Sequence, residues 1–282
     1  RGLGDVYKRQ TVQAVSLQVR EQVLQPLRRL CMECELWFED SVGWGCCNYV
    51  SGMGAQIKEQ MTQCLQELRM NPNIYPHISF SMALSAETEN PYNLGEQILS
   101  ARSMIHERLI YGSKSLLTRH FPFSGLSLPD CTGSFLRKYR IALEQFSQEA
   151  VLAAVEELRK TVLEAPGITG QELYKAVSLA GDKLLENWGV AENYEQEKNE
   201  YQMLCTLSGT PEELFQRLYA LALRLLDETI RRRAGDETHP FLMAKQFMEK
   251  QYMDNISLER VASIAGFSPN YFSSQFKQET GM

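Results

Sequence analysis

Asn270, Ser273, Ser274 and Lys277 stand at i, i+3, i+4 and i+7, the spacing that lines one face of an α-helix. Small polar side chains in the first turns of a helix can approach base edges, and a lysine one turn further on can reach a phosphate. This is nucleic-acid recognition chemistry. It requires a helix whose opposite face is buried and whose first turn is held in place.

The flanking residues supply both. Ser268 and Pro269 read as an N-cap followed by proline at the first helical position, and Phe272 and Phe276 give the helix its inward face, with Tyr271 packing at its side. Upstream, Ser257 predicts the cap of a helix with Leu258, Val261, Ala262 and Ala265 on its apolar face. Gly266 is expected to end that helix in the left-handed conformation, and Phe267 to fill the corner. HPFLMAKQFMEKQYMDN predicts a support helix with Phe241, Ala244, Phe247 and Met248 facing inward. The layout is a helix-turn-helix whose second helix enters the major groove, with Ser268, Asn270, Ser273, Ser274 and Lys277 as the candidate DNA-binding residues. A solvated helical hairpin would show the same polar stripe, and the close succession of caps, glycine turn and buried aromatics is what separates the two readings.

The stretch HPFLMAKQFMEKQYMDNISLERVASIAGFSPNYFSSQFKQETGM closely resembles the first of the two helix-turn-helix units of AraC-type transcription regulators. The resemblance implies sequence-specific binding to promoter DNA and a second unit after Met282. Residues 236–282 are therefore expected to be a first AraC-type helix-turn-helix, truncated before the second. Within residues 239–282, Lys245, Lys250, Arg260 and Lys277 are offset by Glu249, Asp254, Glu259 and Glu279, so little counterion release is available and non-specific affinity is expected to be weak.

The elements ahead of this module set its context. Residues 1–10, RGLGDVYKRQ, resemble translated sequencing adapter and are set aside as non-native. Residues 11–43 predict a linker helix, from the spacing of Val15, Leu17, Val19, Val23, Leu24, Leu27 and Leu30, with Pro26 as a kink. Residues 44–118 read β-α-β-α: the strand WGCCNYVSG, the helix AQIKEQMTQCLQELR with Ile57, Met61, Cys64, Leu65 and Leu68 on one face, the strand HISFSMALS and the helix NLGEQILSARSMIHERLIYG. Residues 119–235 read as a helical region, helical throughout from about residue 132, with Phe135, Tyr139, Leu143 and Phe146 on one stripe and Val151, Val155, Leu158 and Val162 on another. The expected fold class is mostly α with a small α/β unit and a C-terminal helix-turn-helix.

This order of segments is similar to the central and output portions of YesN-like response regulators, in which residues 44–118 would correspond to a degenerate cyclase-like domain. That resemblance implies a receiver domain upstream, phosphorylated by a sensor histidine kinase; a homodimer is a further expected partner. The receiver's acidic pocket and phosphorylatable aspartate are not in this sequence, so no phosphorylation site is assigned. Within the same class the alternative is a ligand-sensing AraC-type regulator without a receiver. From different classes come a nucleotide-binding, cyclase-derived domain and a fragment serving interaction and dimerisation alone.

Rival chemistry is thinner. Cys31 and Cys34 with Cys46 and Cys47 could be imagined around zinc, but the first pair falls on the predicted helix and the adjacent pair on a strand would face opposite ways. SGMGAQ lies where a phosphate-binding loop would, yet lacks both GxGxxG and GxxxxGK[ST]. His77, His106, His120 and His239 are scattered singly. No catalytic residue, metal or cofactor is expected. A net charge of -6 over 282 residues argues against indiscriminate coating of nucleic acid, and seven cysteines without regular spacing are expected to be reduced thiols. With no apolar run long enough to cross a bilayer, the expected location is cytoplasmic and no membrane partner is expected.

Overall fold

The computed structural model describes residues 3–39, 41–70, 78–190, 193–236, 244, 247–248 and 256–280, with side chains described from residue 14 onward except at 233–236 and 278–280. The architecture is mostly helical, with a small two-stranded antiparallel sheet and a helix-turn-helix at the C-terminus. The chain divides into two units, the first running through Pro122 and taking in Thr169–Gln171 and Leu207–Pro211, the second formed by Phe123–Ile168, Glu172–Thr206 and Glu212–Met282.

In the first unit, α1 (Leu3–Leu27) ends one residue after Pro26. Pro26 therefore sits in the last turn and does not kink a longer helix. The expected helix over 28–40 is replaced by β1 (Glu33–Glu39), paired antiparallel with β2 (Val42–Asn48). Period-two alternation explains the change: Cys34, Leu36 and Phe38 turn inward while Glu33, Glu35, Trp37 and Glu39 are exposed. Opposite Leu36 and Phe38 stand Gly45 and Gly43, and a Cβ on Gly43 would lie 2.8 Å from the Phe38 ring. The inner face packs with Val19, Val23 and Leu27 of α1 and with Ile57, Cys64 and Leu68 of α2 (Gly54–Arg69).

The predicted strand over HISFSMALS is reduced to a parallel bridge between Ala83 and Leu117, where Leu84 N–H donates to the Leu117 carbonyl at 2.8 Å and Leu117 N–H to that of Met82 at 3.0 Å; His77 lies outside the described residues. The order is thus β-β-α-α in place of β-α-β-α. The helix expected after it breaks into α3 (Leu94–Met104), a 3-10 turn (Ile105–Glu107) and α4 (Arg108–Tyr111). Polar groups buried at the break account for it: Glu107 accepts from the backbone N–H groups of Gly170 and Gln171 at 2.9 and 3.3 Å, and Arg108 donates to the carbonyls of Ile105 and Ser208, both at 2.8 Å. Glu107 so caps the start of α7 (Gly170–Trp188) with a carboxylate, the sign that a helix N-terminus favours.

The second unit is built on α5 (Leu128–Glu144), α6 (Gln148–Leu163), α7, α8 (Tyr194–Leu207) and α9 (Pro211–Asp236). The expected stripes are its core: Phe135, Tyr139, Leu143 and Phe146 are buried, as are Val151, Val155, Leu158 and Val162. Tyr139 and Tyr201 bury their rings and donate their hydroxyls to the carbonyls of Ala222 and Val177. A Cβ on Gly181 would stand 2.0 Å from the Tyr201 ring, so only glycine lets that ring cross α7.

Candidate nucleic-acid interface

Two short helices carry the candidate site, α10 (Leu258–Ile264) and α11 (Pro269–Thr280). Ser257 is extended at φ -94° and ψ 152°, and its hydroxyl accepts from the Arg260 N–H at 3.3 Å. This is the N-cap geometry, and the backbone amide of Glu259, with the same hydroxyl adding to it, holds the Glu259 carboxyl below its ordinary range. Val261, Ala262 and Ala265 are buried beneath α10. Leu258, expected on that face, is instead 45% exposed, because the first residue of so short a helix overhangs its core.

The corner closes as a Schellman motif. Phe267 N–H donates to the Ala262 carbonyl at 2.8 Å and Gly266 N–H to that of Ser263 at 3.1 Å, with Gly266 left-handed at φ 72°. Phe267 is buried and meets the Phe146 ring edge-on at 5.6 Å and the Tyr271 ring at 5.2 Å. Burial pushes the Tyr271 phenol up, Asp227 adding to the shift and Arg231 opposing it, which places this side chain beside α9. The chain then re-enters a helix at once. The Ser268 hydroxyl accepts from the Tyr271 N–H at 3.4 Å, and Pro269 takes the first helical position.

Phe272 is buried and stacks on Phe276 at 5.1 Å; Phe276, expected in the core, is only half-buried because it lies a turn further out. Of the support helix, Ala244 is buried and Phe247 and Met248 are half-buried, while Phe241 lies outside the described residues. The Arg260 guanidinium lies over the Phe247 ring at 5.6 Å, a contact that spacing alone did not reveal.

With its inward face anchored, α11 leaves Asn270, Ser273, Ser274 and Lys277 exposed. These four share one face of one helix. Ser268 stands apart from them: it is half-buried and its hydroxyl is engaged in the cap. The arrangement presents neutral donors and acceptors at the start of a helix and a cation near its end, which suits base edges and backbone phosphate respectively.

The rival sites fare differently. At the glycine turn, a Cβ on Gly54 would fall within 1.7 Å of the Glu87 carboxylate, so an acidic side chain already lies at the start of α2, where a phosphate would have to sit. Cys34 and Cys47 are cross-strand partners, and Cys46 is paired instead with Glu35; among the described residues no group of histidine, cysteine or acidic side chains has a metal-holding arrangement. His120 Nε2 is 2.5 Å from Ser100 Oγ on an exposed surface, a pairing invisible in the spacing, and water competes there with any activation of the hydroxyl. Among the described residues no helix is long and apolar enough to cross a membrane.

No curated protein and no solved structure matches the chain. Residues 248–282, which contain both helices and the whole of the exposed stripe, match the protein family described as bacterial regulatory helix-turn-helix proteins, AraC family, and the C-terminus of this chain is an AraC-family helix-turn-helix domain.

Proposed function

We propose that this chain is a sequence-specific DNA-binding transcription regulator in which α11 is the recognition helix, Asn270, Ser273 and Ser274 contact base edges, Lys277 contacts a phosphate, and Ser268 fixes the helix start close to the DNA backbone. The observation that carries this reading is the exposed polar stripe on a helix anchored by a Schellman corner, inside residues that match the AraC family. Selection of bound duplexes from a random pool at about 50 mM salt, where phosphate contacts are least screened, tests it. Enrichment of a defined motif, lost when Asn270, Ser273 and Ser274 are all alanine, is the expected result. Recovery of an unselected pool would overturn it.

The finer reading is that the chain is the output portion of a YesN-like two-component response regulator, acting as a homodimer and receiving its signal from a sensor histidine kinase through a receiver domain. The succession of a small α/β unit, a helical region and an AraC-type module supports this by resemblance. Sequencing the gene upstream of this segment tests it: a receiver with a phosphorylatable aspartate is expected, and a ligand-binding domain in its place would support the ligand-sensing alternative.

A further inference from the structure

Four cysteines lie within or beside the β1–β2 hairpin, and the pairing register sorts them. Cys34 and Cys47 stand directly opposite each other on the inner face, where Cys34 is buried within the core cluster and Cys31 and Cys47 pack against it. Cys46 pairs with Glu35 and belongs to the other face. Glu39 and Val42 flank a two-residue connection, so that pair exchanges both backbone bonds and alternation makes Cys34–Cys47 a non-hydrogen-bonded pair. Such pairs bring their Cα atoms to about 4.5 Å, within the range that a disulfide spans. Cys31 follows the end of α1, its N–H donating to the Leu27 carbonyl at 2.9 Å, and its thiol is within hydrogen-bonding reach of both Cys34 and Cys47.

We propose that Cys31, Cys34 and Cys47 form a thiol–disulfide exchange site that accepts oxidising equivalents from a low-molecular-weight disulfide and holds them as a Cys34–Cys47 bond across the hairpin. Cys31 and Cys47 are both half-buried, whereas Cys34 is 7% exposed, so the incoming disulfide meets one of these two before Cys34; burial pushes the Cys47 thiol up to about 12, which leaves Cys31 as the entry point. The Cys31 thiolate attacks one sulfur of R–S–S–R; a Cys31–S–S–R bond forms and the first RS⁻ leaves. The Cys47 thiolate then attacks the Cys31 sulfur, forming Cys31–Cys47 and expelling the second RS⁻. Attack of Cys34 on the Cys47 sulfur transfers the bond to Cys34–Cys47 and returns Cys31 as a thiolate. In sum two protein thiols are oxidised, one R–S–S–R is reduced to two RSH, and the protons given up by the protein thiols are taken by the leaving thiolates.

Burial sets the tempo of this chemistry. It raises the thiols of Cys31 and Cys34 and pushes that of Cys47 up to about 12, so the reduced form is held mainly as thiol and oxidation is slow. The same shift makes Cys47 a poor leaving group, so the bond once formed is slow to be displaced.

The test incubates the full chain with glutathione disulfide, alkylates under denaturing conditions and maps the peptides after combined trypsin and Glu-C digestion. The expected result is the loss of about two alkylatable thiols, the stoichiometry of one disulfide, with Cys34 linked to Cys47 and with Cys31 and Cys46 alkylated. Cys46→Ser should give the same link, Cys34→Ser should divert it to Cys31–Cys47, and unfolding the chain in guanidinium before oxidation should abolish the preference. A principal link through Cys46, a lasting glutathione adduct on Cys31 with no internal link, full alkylation of every cysteine, or identical link patterns in native and unfolded chain would each overturn the proposal.

Discussion

The Phe146 ring stands edge-on to the Phe267 ring, with centroids 5.6 Å apart and planes inclined by 68°. Both residues sit at helix corners. Phe267 follows the left-handed Gly266, whereas Phe146 itself occupies the left-handed position after α5, at φ 48°. Around it Ser147 N–H donates to the Ala142 carbonyl at 3.1 Å and Phe146 N–H to that of Leu143 at 3.3 Å, the same motif that closes α10. A bulky residue in this region costs about 1–2 kcal/mol, which glycine would avoid. The buried ring offsets that cost by packing against the corner of the helix-turn-helix.

The aromatic pair should show as an energetic coupling. Phe146→Ala and Phe267→Ala are each expected to destabilise the second unit by about 3–5 kcal/mol. The double variant should fall short of their sum by about 0.5–1.5 kcal/mol, the worth of an aromatic pair beyond its burial. Urea denaturation of the four chains measures this, and strict additivity would show that the rings do not support each other.

Gly266 separates conformational strain from crowding, because a Cβ built there meets nothing within 4 Å. Gly266→Asn should be tolerated best, Gly266→Ala should cost about 1–2 kcal/mol, and Gly266→Val should cost more, following the tolerance of each residue for the left-handed region. Amide exchange at Val261 and Phe272 reports the module directly. Equal protection in all three variants would remove the left-handed assignment.

Gly170 poses the opposite case. Its Cβ would lie 2.1 Å from the His106 carbonyl oxygen and 2.6 Å from the Glu107 Cα, backbone atoms that cannot swing aside. Gly170→Ala is therefore expected to cost about 1–3 kcal/mol or more as an overpacking substitution, and to loosen the Glu107 cap on α7. Gly52→Ala is a poor control, since Gly52 has φ 89°; Gly95→Ala, in open space on α3, should leave the thermal midpoint unchanged or raised. A Gly170→Ala chain that melts with Gly95→Ala would refute the close approach.

Much of this was legible because it is local. The period of Phe135, Tyr139, Leu143 and Phe146 predicts one buried stripe, and Ser257, Gly266, Ser268 and Pro269 punctuate the terminal helices at the positions where caps and turn are found. Strand β1 escaped because Leu36, Trp37 and Phe38 form an apolar run that continues the preceding helical spacing; only their sides, settled by pairing with β2, distinguish strand from helix. Phe276 looked as apolar as Phe272, yet its position one turn further from the corner leaves it half-buried. The Phe146–Phe267 contact, the Glu87 carboxylate at Gly54 and the Cys34–Cys47 pairing depend on residues brought together by tertiary structure, which no spacing along the chain encodes.

The exposed face of α11 yields the prediction that bears most directly on function. Lys277→Ala should weaken binding to every DNA sequence by a similar factor and lower the magnitude of the salt slope by about 1, as expected for one lost phosphate contact. Alanine at Asn270, Ser273 or Ser274 should leave that slope alone and change which bases are preferred, since in the proposed docking these uncharged side chains face base edges. Ser268→Ala should behave differently from both. Its hydroxyl accepts from the Tyr271 N–H, so its loss should destabilise the start of α11 by about 0.5–2 kcal/mol and reduce affinity without redirecting it. Fluorescence anisotropy over a salt series, on the preferred duplex and on single-base variants, separates the three behaviours. If Lys277→Ala shifts base preference while Asn270, Ser273 and Ser274 are silent, the proposed placement of α11 in the groove has to be abandoned.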